Sequence, residues 1–91
     1  MQVVWRQTAI DDRSAIVAYL EPLNPYAAAR LLEALLLAGD SLALFPYRGR
    51  LGLVAGTREL VAVTPYVLVY ETAEASGTVS ILRIWHAAQE R

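Results

Sequence analysis

The sequence predicts an α+β domain in two layers, a helical hairpin packed on one face of a mainly antiparallel four-stranded sheet, with elements in the order β-α-α-β-β-β. Three observations predict it. Two apolar stretches near residues 9–20 and 25–38 carry helix start and stop signals. Three later stretches are rich in Val, Ile, Leu, Tyr and Trp and are separated by short breaks. The connections between those three are too brief for crossovers, so they form an antiparallel meander.

The elements follow in order. Val3 to Arg6 is short and β-prone, a first strand. Thr8, three residues before Asp11, resembles a capping box, and Asp11 and Asp12 suit the positive end of a helix dipole. Ile10, Ile16, Val17 and Leu20 share a helical face, which sets an amphipathic helix over 9–20 that Pro22 stops. Asn24 is placed to cap a second helix and Pro25 fits its first turn. That helix runs to Ala38, with Gly39-Asp40 expected to kink or interrupt it and Pro46 to end any continuation. From Pro46 to Gly56 the chain holds three glycines and a proline, a loop ending at most in a short strand. Strands follow at Thr57–Val63, Tyr66–Thr72 and Thr78–His86.

Ninety-one residues make one domain over 1–91, with neither an internal repeat nor a low-complexity tract. A chain of this size buries about 60–65 % of its unfolded surface. Its hydrophobic fraction of 56 % exceeds what so thin a core can hide, and 19 % charged residues is low, which excludes disorder. Between Tyr26 and Ala38 only Arg30 and Glu33 are charged, so the second helix is apolar nearly all round and calls for a cover beyond the sheet. The longest uncharged run, Leu60 to Tyr70, is far short of a membrane span. The first residues lack the pattern of a secretory signal, and there are no cysteines, so the expected location is the cytoplasm.

A net charge of −1 and a pI near 5.7 exclude a broadly basic nucleic-acid binder. The charge is uneven. Residues 7–43 carry Arg13 and Arg30 against five acids, a net of −3, whereas residues 44–91 carry five arginines against four acids, a net of +1.

Strand alternation puts Val79, Ile81, Arg83 and Trp85 on one face of the last strand, and Ser80, Leu82, Ile84 and His86 on the other. Arg83 and His86 then face opposite ways unless the strand bulges or ends between them. Arg58 lies within an apolar strand, and an arginine there needs water, a carboxylate or a ligand; Arg58–Glu71 and Arg83–Glu59 are the cross-strand pairs available. His86 is the only histidine and the natural acid–base candidate. Without a second histidine or a cysteine no zinc site is expected, and no glycine-rich phosphate cradle is present, so neither metal nor cofactor is expected.

Residues 5–12 (Trp5-Arg6-Gln7-Thr8-Ala9-Ile10-Asp11-Asp12), with Ile16, Tyr19, Asn24-Pro25 and Ala28, resemble the opening of the RelE/ParE toxin superfamily. Pro46, Gly49-Arg50, Gly52, Gly56 to Val61, Tyr66 to Tyr70 and Ile81 to Gln89 are similar to its second half. The resemblance spans nearly the whole chain. It implies the toxin of a type II toxin–antitoxin pair, of the kind called plasmid-stabilisation proteins, with a sheet ordered 1-4-3-2. It also implies a cognate antitoxin whose C-terminal segment wraps the toxin in a hetero-oligomer.

The superfamily divides by target. RelE-like members cleave messenger RNA on the ribosome; ParE-like members poison DNA gyrase and have no established catalytic set. Nuclease members commonly carry arginine after the first tyrosine of the third of the four strands and tyrosine after the C-terminal histidine. Here those positions are Val67 and Ala87. The resemblance therefore leans to a ParE-like gyrase inhibitor that is not an enzyme, with Arg48, Arg50, Arg58, Arg83 and His86 facing the target. Leu31, Leu35, Tyr66 and Trp85 are expected to meet the antitoxin. The alternatives are a metal-independent endoribonuclease using Arg58, Arg83 and His86, and a non-toxic remnant that only binds an antitoxin. A self-sufficient globule, or a histidine, an arginine and a carboxylate converging in one open cleft, would overturn poisoning without catalysis.

Overall fold

In the computed structural model, which describes residues 1–88, the elements are β1 (Gln2–Trp5), α1 (Gln7–Leu20), α2 (Pro25–Ser41), β2 (Arg50–Leu51), β3 (Thr57–Val63), β4 (Tyr66–Ala73) and β5 (Thr78–His86). Gln89, the last residue of the C-terminal motif, lies outside the described residues. The expected sheet is corrected from four strands in order 1-4-3-2 to five in order β1-β5-β4-β3-β2. The added strand is the two-residue β2 at the edge, too short to carry a periodic signal. β1 runs parallel to β5 and every other pairing is antiparallel.

The two helices pack on one face. Leu31, Leu35 and Leu42 meet Leu60, Leu68, Tyr70, Val79, Ile81 and Ile84 in the core, with Trp5, Ile16 and Leu20 packed at its margin. The Asn24 side chain accepts the Ala27 amide at 3.0 Å, and Pro25 opens α2 as expected. At α1 the expected cap is absent. Helix α1 starts after Arg6, two residues earlier than read, and the Thr8 hydroxyl serves β5 instead.

Gly39 does not interrupt α2, which continues to Ser41. Its role is steric, because a Cβ there would lie 2.3 Å from Trp5 Cζ2. The glycine is a notch that lets the indole lie against the helix, and Arg13 covers that ring with its guanidinium 4.7 Å from the centroid.

Strand β5 departs from simple alternation. The register against β4 shifts so that Val69 pairs with Arg83 and Tyr70 with Ile81, leaving Leu82 as the extra residue of a bulge. Val79, Ile81 and Ile84 consequently all reach the core, and the expected grouping of Ile81 with Arg83 and Trp85 is corrected. Cross-strand partners share a face. Arg83 with Val69 and Trp85 with Val67 thus lie on the sheet surface away from the helices, while His86 with Tyr66 lies on the helical side.

Candidate functional site

β1 has four residues and β5 nine, so β1 covers β5 only as far as Ile81. Beyond that point the backbone of β5 needs other partners. Helix α1 supplies them. Thr8 Oγ1 donates to the Leu82 carbonyl at 2.6 Å, and the Ile84 amide donates to Asp12 Oδ2 at 2.9 Å. The same carboxylate takes Arg83 in a two-pronged pair, Nε to Oδ2 at 2.8 Å and Nη2 to Oδ1 at 3.2 Å. Bonding to Asp12, with its negative charge close by, holds the Arg83 guanidinium above its ordinary pKa.

Between this edge and α1 lies a groove of about 430 Å³, whose lining includes Asp12, Ile16, Tyr19, Tyr66, Arg83, Trp85 and His86. Arg83 and His86 leave the sheet on opposite faces as read from the alternation of residues 83–86, yet both border the groove because it wraps the strand edge. His86 meets Tyr66 edge-on, with centroids 5.4 Å apart, and its Nδ1 accepts the Ala88 amide at 3.1 Å. A carboxylate, a guanidinium and an imidazole therefore share one open cleft. Two of the three are bound to each other.

The remaining expected target residues sit at the opposite edge of the sheet. Arg50 Nη2 bonds Glu59 Oε1 at 2.9 Å, and Glu59 is only 4 % exposed. Arg58 Nη1 donates to the carbonyls of Gly49 and Tyr47 at 2.8 and 3.3 Å, with its guanidinium 5.3 Å from the Tyr47 ring centroid. Arg48 Nη1 donates to Ser41 Oγ at 2.7 Å. The expected Arg58–Glu71 and Arg83–Glu59 pairs are thus replaced by carbonyls for Arg58, Asp12 for Arg83 and Arg50 for Glu59. Arg58, opposite Tyr70, leaves the sheet on the helical face and Arg83, opposite Val69, on the other, so the two do not form one constellation.

Of the residues expected to meet an antitoxin, Tyr66 and Trp85 are half-buried at the groove, whereas Leu31 and Leu35 are buried in the core. The chain itself covers these two leucines. The large apolar residues left exposed include Tyr19, Leu23, Tyr26, Leu44, Leu51 and Leu53. Asp12, Ala15, Ile16, Tyr19 and Ile84 are groove residues that the sequence reading missed; Asp12 looked like a helix-dipole position, and nothing local links it to a strand 71 residues later.

No group of three His, Asp or Glu side chains among the described residues is placed to hold a metal ion, and no helix among them is long and apolar enough to cross a membrane.

The model of the ParE toxin family, described as the ParE toxin of the type II toxin–antitoxin system parDE, matches residues 3–91. Toxin RelE2 of Caulobacter vibrioides is 49 % identical over 88 residues, covering 97 % of each chain. The putative toxin Y4kP of Sinorhizobium fredii is 39 % identical over 90 residues, covering 98 % of this chain and 91 % of that protein. Among solved structures, a chain of the chromosomal ParDE toxin–antitoxin system from P. aeruginosa superposes with a TM-score of 0.82 over 94 % of this chain and 95 % of that one; at 23 % identity this likeness is one of fold. A chain of the RelBE2 toxin–antitoxin complex from Mycobacterium tuberculosis superposes with a TM-score of 0.68 at 27 % identity, covering 93 % and 95 %.

A helical hairpin over a twisted five-stranded sheet, with these relatives, defines the toxin class of type II toxin–antitoxin systems. Within that class the chain belongs to the ParE toxin family.

Proposed function

We propose that the chain poisons its target by binding a protein rather than by cutting RNA, that DNA gyrase is the target, and that a cognate antitoxin neutralises it by direct binding. The cleft shared by Asp12, Arg83 and His86 counts against the non-catalytic reading, and one observation carries that reading nonetheless. Arg83, the arginine of the groove, has its charge matched by Asp12, which is itself bonded to the backbone of β5. Two of the guanidinium nitrogens and both carboxylate oxygens are thereby engaged within the chain. Val67 supports the same reading, since it is 2 % exposed and offers no cation where nuclease members commonly have one. The antitoxin reading is supported by the solved relatives, which come from a toxin–antitoxin system and a toxin–antitoxin complex.

The experiment is induced expression without antitoxin, read by gyrase supercoiling and by primer extension on translated messages. Growth arrest with loss of supercoiling and intact messages is expected. Unimpaired gyrase at large toxin excess overturns the reading, and unchanged growth identifies a non-toxic remnant. A second reading, ribosome-dependent message cleavage, is favoured by one observation: Asp12, Arg83, Tyr66 and His86 border the same cleft. Discrete cleavages that disappear in His86→Ala would establish it.

A further inference from the structure

Between α2 and β3 an exposed segment is held by an unusual number of bonds from the sheet. The Gly49 amide donates to the hydroxyl of fully buried Tyr70 at 3.0 Å. Arg58 takes the carbonyls of residues 47 and 49, and Glu59 takes Arg50 and, at 3.4 Å, the Leu53 amide. Thr57 closes the turn, its hydroxyl donating to the Val54 carbonyl at 2.7 Å and its own carbonyl accepting the Gly52 amide at 2.8 Å. Side chains are excluded where the segment touches the sheet: a Cβ at Gly49 would lie 2.7 Å from the Tyr70 oxygen, and one at Gly52 2.3 Å from Thr57 Oγ1.

The segment held this way turns apolar side chains to water. Leu44, Phe45, Leu51, Leu53 and Val54 are each more than 60 % exposed. Residues 44–58 also carry Arg48, Arg50 and Arg58; Glu59 bonds Arg50 and Glu74 bonds Tyr47, and among the described residues Arg50 alone of the three arginines has a carboxylate within an ion-pair distance. Ordering apolar groups in solvent lowers stability, but it reduces the cost of ordering them again when a partner binds. Charge selects the kind of partner. Residues 7–43 have a net charge of −3, whereas the three arginines of this corner against Glu59 and Glu74 leave +1, so an acidic segment is repelled from the helices and drawn to this corner.

We propose that the corner formed by residues 44–58 is the docking surface for an acidic, apolar-studded segment of the antitoxin, which places carboxylates on Arg48 and Arg58 and apolar side chains on Leu44, Phe45 and Leu51. This rests on the toxin–antitoxin reading above and moves the contact away from Leu31 and Leu35, which the core has already covered.

The test measures the dissociation constant of the cognate antitoxin for the full chain and for Arg48→Glu, Arg48→Gln, Leu51→Ser and, as a control on the acidic helical face, Arg30→Glu. Circular dichroism checks that each variant is folded. Arg48→Glu should weaken binding about tenfold or more, Arg48→Gln and Leu51→Ser by less, and Arg30→Glu by less than about twofold. Affinity of the wild-type chain should fall as salt is raised. If Arg48→Glu and Leu51→Ser both bind within about twofold of wild type, the antitoxin docks elsewhere and the inference is overturned. If the wild-type chain itself does not bind the antitoxin, the toxin–antitoxin reading fails, and this inference with it.

Discussion

The two ends of the sheet are finished by different means. At the β5 end, the outer half of the strand outruns its short neighbour, and two side chains from α1 take over its backbone groups. At the β2 end, the direction is reversed: side chains from β3 and β4 reach outward and fix a loop. The first arrangement leaves an open groove beside a helix. The second leaves a filled corner with a greasy, cationic outer surface. An exposed strand edge invites pairing with other chains, and the contrast shows that a helix or a loop can each remove that hazard while creating a different kind of surface.

Four substitutions or titrations sharpen this contrast. The largest effect is expected for Tyr70→Phe, which deprives the buried Gly49 amide of its acceptor and should cost about 2 kcal/mol in urea unfolding. A cost near zero would show that the corner does not depend on the phenol. Asp12→Ala removes the Arg83 pair and the acceptor of the Ile84 amide together, for about 1.5 kcal/mol, discounted because the Arg83 side chain is 48 % exposed. Amide exchange of Ile84 should rise with it, and unchanged exchange would remove Asp12 from its role at the edge. Thr8→Ala loses one bond at a solvent-facing position and should cost roughly 0.5 kcal/mol by the same assay.

The smallest effect is a titration at the corner. The Tyr47 hydroxyl donates to Glu74 Oε1, and that bond raises the phenol's pKa above 10.0, with the nearby carboxylate charge acting in the same sense. Since the folded value exceeds the unfolded one, the contribution to stability is complete below the unfolded pKa and is lost as pH rises through the raised value. Ultraviolet titration of wild type against Tyr47→Phe should show the missing phenol ionising above pH 10; ionisation at or below it would mean the Tyr47–Glu74 contact is not formed.

Much of the fold is local and could be read. Asn24-Pro25 fixed the start of α2 through a cap and a first-turn proline, and Thr57, Val63, Tyr66, Thr78 and His86 were read as strand ends and are strand ends in the structure. What could not be read depends on partners distant in sequence. Gly39 looks like a breaker until Trp5 is brought against it, and Thr8 looks like a cap until Leu82 offers a better acceptor. The bulge at Leu82 is invisible to a period-two pattern because it changes the period. The same is true of the site. Arg83 and His86 were found from residue type, but Asp12, which neutralises the arginine and orders the cleft, became visible only when helix and strand met.

The parallel pairing of Gln2–Trp5 with Thr78–Ile81 has a consequence for synthesis. β1 is made before β5 and finds its neighbour only when β5 has emerged, and until then the cleft beside α1 has no far wall. Contacts of such long separation form late. The groove beside α1 is therefore assembled only once both strands of this pair are present, and no shorter stretch of the chain can offer that surface.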